Sequence, residues 1–343
     1  MNSSGPRFGR AALWWAPFCV LWGGCGRAPA PAAAPATAPV SMATVRYQTD
    51  WYPQPEQGGC FQAAAKGFYR EAGIEVQILA GGPGRAMVTG LLAGQDDIET
   101  AESVDVISRV SSGLPLVMVA AVMEHDPVAV MVHEESPVHT FADLNGRTVM
   151  ALPGTTWMAY VKWRYHIDFH LIPINYGIAQ FMADPNFVQQ CFITSEPYFV
   201  AQHGGKSRAM LVAESGYDPY RVYVTTRKFA QEHPRELRAF VAASIRGWND
   251  FAQGDPTPGA KMIQSLNPQM TPEFEAYSIK AMKQYHLIAG DPAKGDRTGL
   301  ITTRRLQEQI DLMVAIKAIP RPITVSELAT FEFLPDDLQA LAR

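Results

Sequence analysis

Short apolar runs rich in β-branched residues alternate with segments whose apolar residues recur every three or four positions. The runs 45–49, 74–79, 97–101, 116–123 and 128–132 read as strands. Helical spacing over 60–71, 86–93 and 104–110 places helices between them, and Ala72-Gly73 and Ser111-Ser112-Gly113 supply stops. The runs 116–123 and 128–132 show no polar alternation, the pattern of a strand covered on both faces. The alternation then restarts. Thr140 can cap a short turn at 141–144. A strand at 147–151 enters Pro153-Gly154-Thr155-Thr156 and a helix ending at Tyr165. Further strands are expected at 167–174, 191–194 and 209–213. A last strand at 222–225 leads into helices at 234–252, 258–266, 272–288 and 303–316. Pro234, Pro258 and Pro272 open three of these, where a first turn has no use for the missing N–H.

Strands alternating with helices imply βαβ units and a mainly parallel sheet with both faces covered, an α/β fold. The economical arrangement is two α/β lobes, the first formed by 42–132 plus 222–343 and the second by 133–221, with a hinge where the chain crosses near Val132 and Tyr223. In such a shape the ligand lies where the carboxyl ends of the strands meet. Those ends are Asp50-Trp51-Tyr52-Pro53, Gly81-Gly82-Pro83-Gly84-Arg85, Glu102-Ser103, Gly154-Thr155-Thr156-Trp157 and Thr194-Ser195-Glu196-Pro197-Tyr198.

Composition removes several classes of function. The 343 residues suffice for one large or two ordinary domains, and 47% apolar against 18% charged residues excludes a disordered chain. A net charge of -4 excludes a nucleic-acid binder. None of the 8 His stands at metal-ligand spacing, the 4 Cys form no CxxC pair, and Gly81 to Gly84 lacks the Lys of a phosphate-binding loop, so no metal and no cofactor are expected. Cys60 and Cys191 are expected to be buried thiols rather than a disulfide.

The first residues read as an address. Arg7 and Arg10 precede an uncharged run, 11–24, shorter than the roughly 20 residues a membrane-spanning helix needs, so 1–24 is expected to be a signal peptide. The run ends Leu21-Trp22-Gly23-Gly24-Cys25, which resembles a bacterial lipobox with Trp22 in the usual place of Leu. Cys25 is then the expected lipidation site; a plain signal peptide with an incidental Cys is the alternative. Residues 25–41, mostly Ala and Pro, read as an extended tether. The protein is thus expected on the periplasmic or cell-surface face of a bacterial membrane, held there only by the lipid.

One family gathers these features. The order of Asp50-Trp51-Tyr52-Pro53, Gly67-Phe68-Tyr69 with Ala72-Gly73-Ile74-Glu75-Val76, Phe141-Ala142-Asp143-Leu144-Asn145-Gly146-Arg147-Thr148-Val149 and Thr194-Ser195-Glu196-Pro197-Tyr198 resembles the sulfonate- or taurine-binding and thiamine-pyrimidine-synthase-like substrate-binding proteins of ABC importers. The resemblance covers about 44–335. It implies a two-lobed clamshell of the periplasmic binding protein type II, a small-molecule ligand, an ABC permease as partner, and a monomer.

The strand ends suggest the cargo. Trp51, Tyr52, Trp157 and Tyr198 offer flat faces on which a heterocycle would stack for about 1–3 kcal/mol; packing in the core is the other reading of each. Asp50 and Glu196 can accept hydrogen bonds from a ring amino group, a structural hydrogen bond being the other reading of Glu196, and Glu102 at its strand end is a further ligand-binding candidate. Arg85, Ser103 and Thr155 are the groups a sulfonate would want, and Arg85 would also suit an exposed helix start. The acidic and aromatic set favours a thiamine pyrimidine precursor or a flavin such as riboflavin, with a sulfonate or taurine as alternative. The enzymes of the family hold pyridoxal phosphate on a Lys and consume a His four residues later, beside a Cys-rich run and iron. Matching Gly113-Leu114-Pro115 puts Ala101 and Asp105 at those positions, and neither can perform that chemistry. The expectation is a binding protein, not an enzyme.

Overall fold

Among the described residues the apolar runs become ten strands in two mixed sheets of five. A computed structural model describes residues 42–83 and 88–343, so the expected signal peptide and tether, Cys25 and Arg85 lie outside the described residues. In chain order the strands are β1 (Ala43–Gln48), β2 (Ile74–Leu79), β3 (Ile98–Glu102), β4 (Leu116–Met123), β5 (Val128–His133), β6 (Thr148–Ala151), β7 (His170–Pro173), β8 (Val188–Phe192), β9 (Ser207–Leu211) and β10 (Arg221–Thr226). The first sheet has the order β2-β1-β3-β10-β4 and the second β7-β6-β8-β5-β9. β1 pairs in parallel with β2 and β3, as β6 does with β7 and β8.

Two strands break the expected parallel pattern, for one reason. β5 and β10 each run antiparallel to both neighbours. Each is the first strand after the chain crosses from the other sheet, so it enters at the end where the parallel strands finish. Val128 and Arg221, their first residues, therefore lie beside those carboxyl ends. β5 belongs to the second sheet through β8 and β9, which moves the first crossing from near Val132 to 124–127; the second occupies 212–220. Both β4 and β5 are almost wholly buried, so hydrophobicity carried no mark of which sheet each joins.

The two crossings are braced together. Arg305 pairs with Glu124, and its guanidinium also reaches the Asp218 carboxylate at 2.9 Å while lying 3.9 Å over the Tyr220 ring. His125 meets Asp218 at 2.8 Å.

Helices cover the first sheet where the pattern placed them. Pro234–Gln253 presents Leu237, Phe240, Val241 and Trp248 inward. Phe240 packs 5.2 Å from the Tyr223 ring and 5.3 Å from that of Tyr47, and the Trp248 indole donates to the Tyr223 hydroxyl at 3.2 Å. Burying side chains of this size contributes about 1.5–3 kcal/mol each. The helix Gly58–Ala65 crosses this one so closely that a Cβ on Gly247 would stand 2.2 Å from the Gly59 carbonyl oxygen. Only glycine permits that approach. The single helix expected at 60–71 is two, because Gly67 turns left-handed (φ 76°) between Gly58–Ala65 and Phe68–Glu71. A helix at Ala179–Ala183, unmarked by periodicity, follows β7.

Candidate functional site

The converging strand ends enclose a cavity of about 460 Å³, within the range of small-molecule sites. The first sheet supplies Asp50 and Trp51 after β1, Glu102 at the end of β3 with Asp105 beyond it, and Arg221 at the start of β10. The second supplies Thr155 and Trp157 after β6, Tyr176 after β7, Gln190 and Phe192 in β8, and Glu196 after it. Rings from the two sheets meet here: Trp51 and Tyr176 have centroids 5.1 Å apart at 41°.

Arg221 organises the charged side. It stands directly opposite Glu102 in the β3–β10 register, yet its guanidinium is committed elsewhere. It pairs with Asp50, and with Asp126 at 2.9 Å. Asp50 is steadied further by the Gln57 amide at 3.1 Å. Burial lowers the Arg221 guanidinium to about 10. Burial also pushes Asp126 up to about 7, against the guanidinium beside it.

The remaining carboxyl groups have no such partner. Glu102 accepts from the Tyr217 hydroxyl at 2.8 Å, and burial, with Asp126 and Asp105 nearby, holds it well above the usual range. Burial raises Asp105 too, partly offset by Arg109. Glu196 accepts the Phe192 backbone N–H at 2.8 Å and is raised by burial. On the opposite wall Gln190 is an anchor: its Oε1 accepts the Trp157 indole N–H at 3.1 Å and the Leu152 backbone N–H at 3.2 Å.

Six of the ten residues singled out in the sequence line the cavity: Asp50, Trp51, Glu102, Thr155, Trp157 and Glu196. Trp157 does so by its edge, being 2% exposed with its indole N–H tied to Gln190 and its ring stacked toward Phe169. Three others stand apart. Ser103 is fully buried, donating to Gln309 at 2.6 Å and accepting the Tyr220 N–H at 3.0 Å, a brace between the end of the second crossing and the helix Thr303–Ala315. Tyr198 lies two residues beyond Glu196 on the helix Glu196–Gln202, about 200° around it, and packs among Phe199, Phe274 and Tyr277. Tyr52 is 49% exposed beside Trp51 and does not line the cavity. Arg85 lies outside the described residues.

The sequence reading missed Arg221, Gln190, Phe192 and Tyr176. Arg221 carried a signal, a lone charge opening the apolar run 222–224. Gln190 and Tyr176 carried none. Cys60 and Cys191 are both buried and free, as expected.

The family model described as NMT1/THI5 like matches residues 54–257, more than half of the chain and most of the strand ends above. The chain belongs to the NMT1/THI5-like family. Among curated relatives of this NMT1/THI5-like chain, the "Putative thiamine biosynthesis protein" of Haemophilus influenzae is 30% identical over 102 residues, 29% of this chain and 32% of that protein. The match thus spans about a third of that relative's length. The riboflavin-binding protein RibY of Chloroflexus aurantiacus is 23% identical over 331 residues, 89% of this chain and 91% of that protein. Among solved structures, the periplasmic aliphatic sulphonate binding protein SsuA of Escherichia coli superposes with a TM-score of 0.60 at 16% identity, over 84% of this chain and 92% of that one. The fold is that of the periplasmic binding proteins.

Proposed function

We propose that this chain is the solute-binding protein of an ABC importer, capturing a small heterocycle between two lobes and presenting it to a permease. With the crossings at 124–127 and 212–220, one lobe holds the first sheet and the C-terminal helices, and the other holds the second sheet. The observation that carries the reading is the lining of the cavity: Trp51 and Tyr176 from opposite sheets, with four carboxyl groups, Asp50, Glu102, Asp105 and Glu196, among the described residues around it. Rings bind the faces of a flat molecule and carboxyl groups accept from its amino groups. A thiamine pyrimidine precursor or a riboflavin-like flavin matches that lining. A sulfonate matches it less well, because Arg221, the cation among the described lining residues, is already neutralised by Asp50 and Asp126. Ser103, a second sulfonate candidate, is engaged in the core.

Binding energy gathered from both lobes would favour the closed form, the one that docks on the permease. Ala101 is buried within β3 and Asp105 lines the cavity; by the match through Gly113-Leu114-Pro115 they would take the places of the family enzymes' Lys and His, and we read the chain as a carrier without catalysis. Its place would be the periplasmic or outer face of a bacterial membrane, as a monomer anchored through Cys25.

Mass spectrometry of small molecules released from the purified, undenatured protein tests the reading directly. A heterocycle of one of these two classes is expected, and Trp51→Ala should weaken its binding in calorimetry by about tenfold, a lower-range value for one lost stacking face. Release of an alkanesulfonate alone would overturn the choice of cargo.

A further inference from the structure

Asp105 is the lining carboxylate with no hydrogen-bond partner among the described residues. Its three companions are all engaged: Asp50 by Gln57 and Arg221, Glu102 by Tyr217, and Glu196 by the Phe192 N–H. A charged group left unpartnered at the wall of a cavity lacks the compensation that burial demands.

The surroundings say what would complete it. Glu102 and Asp105 sit at the start of the helix Ser103–Ser111, three residues apart and therefore on neighbouring turns of one face. Asp126 faces them from the first crossing, with Tyr217 and Asp218 from the second. Arg221 in β10 is spoken for by Asp50 and Asp126, and Arg109 further along the same helix relieves Asp105 only in part. The second sheet contributes the neutral Thr155, Trp157 and Gln190, and one more acid, Glu196. The helix start offers about half a positive charge, too little for two carboxylates with a third behind them.

We propose that the carboxyl pair Glu102 and Asp105 is a proton-for-cation exchange site: the ligand-free protein keeps one proton on the pair, and an aromatic cargo bearing a cationic N–H group displaces it. This rests on the solute-carrier reading above and narrows it to cargo with a positively charged substituent. The bookkeeping is simple. The arriving cation brings one positive charge and the departing proton carries one to solvent, so the pocket's charge is unchanged while Asp105 gains a donor. Burial raises both groups above their ordinary values, with Asp126 adding to the rise at Glu102 and Arg109 offsetting part of it at Asp105.

Two isosteric probes decide it. 4-Amino-5-aminomethyl-2-methylpyrimidine carries an ammonium group at pH 7.4, and 4-amino-5-hydroxymethyl-2-methylpyrimidine carries a hydroxyl in its place. Calorimetry of the full chain in phosphate and in Tris reads both affinity and protons exchanged. The amine is expected to bind tighter than the alcohol by about tenfold or more, with release of about one proton that makes its observed enthalpy depend on the buffer. Asp105→Asn should abolish the preference and the proton release while still binding the alcohol; Glu102→Gln, the second variant should the first fail to fold, should do the same. Equal affinity of amine and alcohol with no proton exchange would overturn the exchange site and leave the heterocycle reading standing. Failure of both pyrimidines to bind would overturn the exchange site, and if riboflavin failed too the heterocycle reading would fall with it.

Discussion

Replacing Arg221 by Met keeps an unbranched stem of similar reach and removes the guanidinium. In the native protein that guanidinium lies between Asp50 and Asp126, with side chains 12%, 17% and 5% exposed respectively. Removing one partner of a buried pair leaves an uncompensated charge and costs about 3–5 kcal/mol. Here two carboxylates lose their cation at once, so the upper part of that range is expected at pH 8. The penalty must also depend on pH. Asp126 already stands at about 7 through burial, and loss of the cation beside it moves it higher. A carboxyl group raised in the folded state stabilises the protein while it is protonated, and that contribution is lost as pH rises through its folded pKa. Each unit of additional rise in the variant is therefore about 1.4 kcal/mol of penalty at pH 8 that disappears when pH falls below the wild-type value. Urea unfolding at pH 8 and pH 5 measures both quantities through the midpoint and slope. The difference from wild type should shrink by at least about 1.4 kcal/mol on going to pH 5. A penalty below about 1 kcal/mol at pH 8, as for an exposed pair, or one equal at both pH values, would refute Arg221 as the counter-ion of a buried acid cluster.

Other perturbations probe other walls. Glu56, buried where its carboxyl group accepts from Thr194, is pushed by burial up to about 7; Glu56→Gln should flatten part of the wild-type fall in Tm between pH 5 and pH 8, and an unaltered slope would contradict that titration. Gln190→Leu strands the Trp157 indole and the Leu152 N–H without their acceptor, so unfolding should become easier by about 1–3 kcal/mol and ligand binding should weaken; full stability would show that neither bond matters. Cys25→Ala expressed in a bacterial host should move the protein from the membrane to the soluble fraction, and retention in the membrane would reject the anchor.

The sequence made elements legible wherever a period or a stop was strong. β2, β4 and the helix Pro234–Gln253 fall within a residue or so of their expected bounds, because Gly, Pro and unbroken apolar runs act locally. Sheet membership was not legible. Whether β5 joins the first sheet or the second depends on β8 and β9, whose paired residues lie from 58 (Met131↔Gln189) to 82 (Ala129↔Leu211) positions further along the chain, and both environments are equally apolar. The site divides along the same line. Residues just past a strand end, such as Trp51 and Glu196, were placed by a general rule of α/β folds. Tyr198 was lost because being near a strand end does not fix which side of the next helix a residue occupies, and Ser103 because its neighbour Glu102 takes the cavity-facing position. Arg221 was invisible to that rule, which looks at carboxyl ends; it opens an antiparallel strand, so its amino end lies where the others finish.

That reversal of β5 and β10 is also what makes the site. If every strand ran parallel, the cavity would be walled by loops and helix starts alone, and its charges would rest on the most mobile parts of the chain. An antiparallel strand entering from a crossing instead delivers its first side chain into the cavity from a hydrogen-bonded ladder. Arg221 is held this way between β3 and β4, and Val128 similarly opposite Phe192 at the end of β8. Both follow directly on the two crossings, which Arg305 ties to each other through Glu124 and Asp218. Movement of one sheet against the other about those crossings would then shift Arg221, and with it Asp50 and Asp126, relative to Gln190 and Trp157. In a carrier built on this plan, the geometry of the acid cluster and the angle between the sheets cannot vary independently.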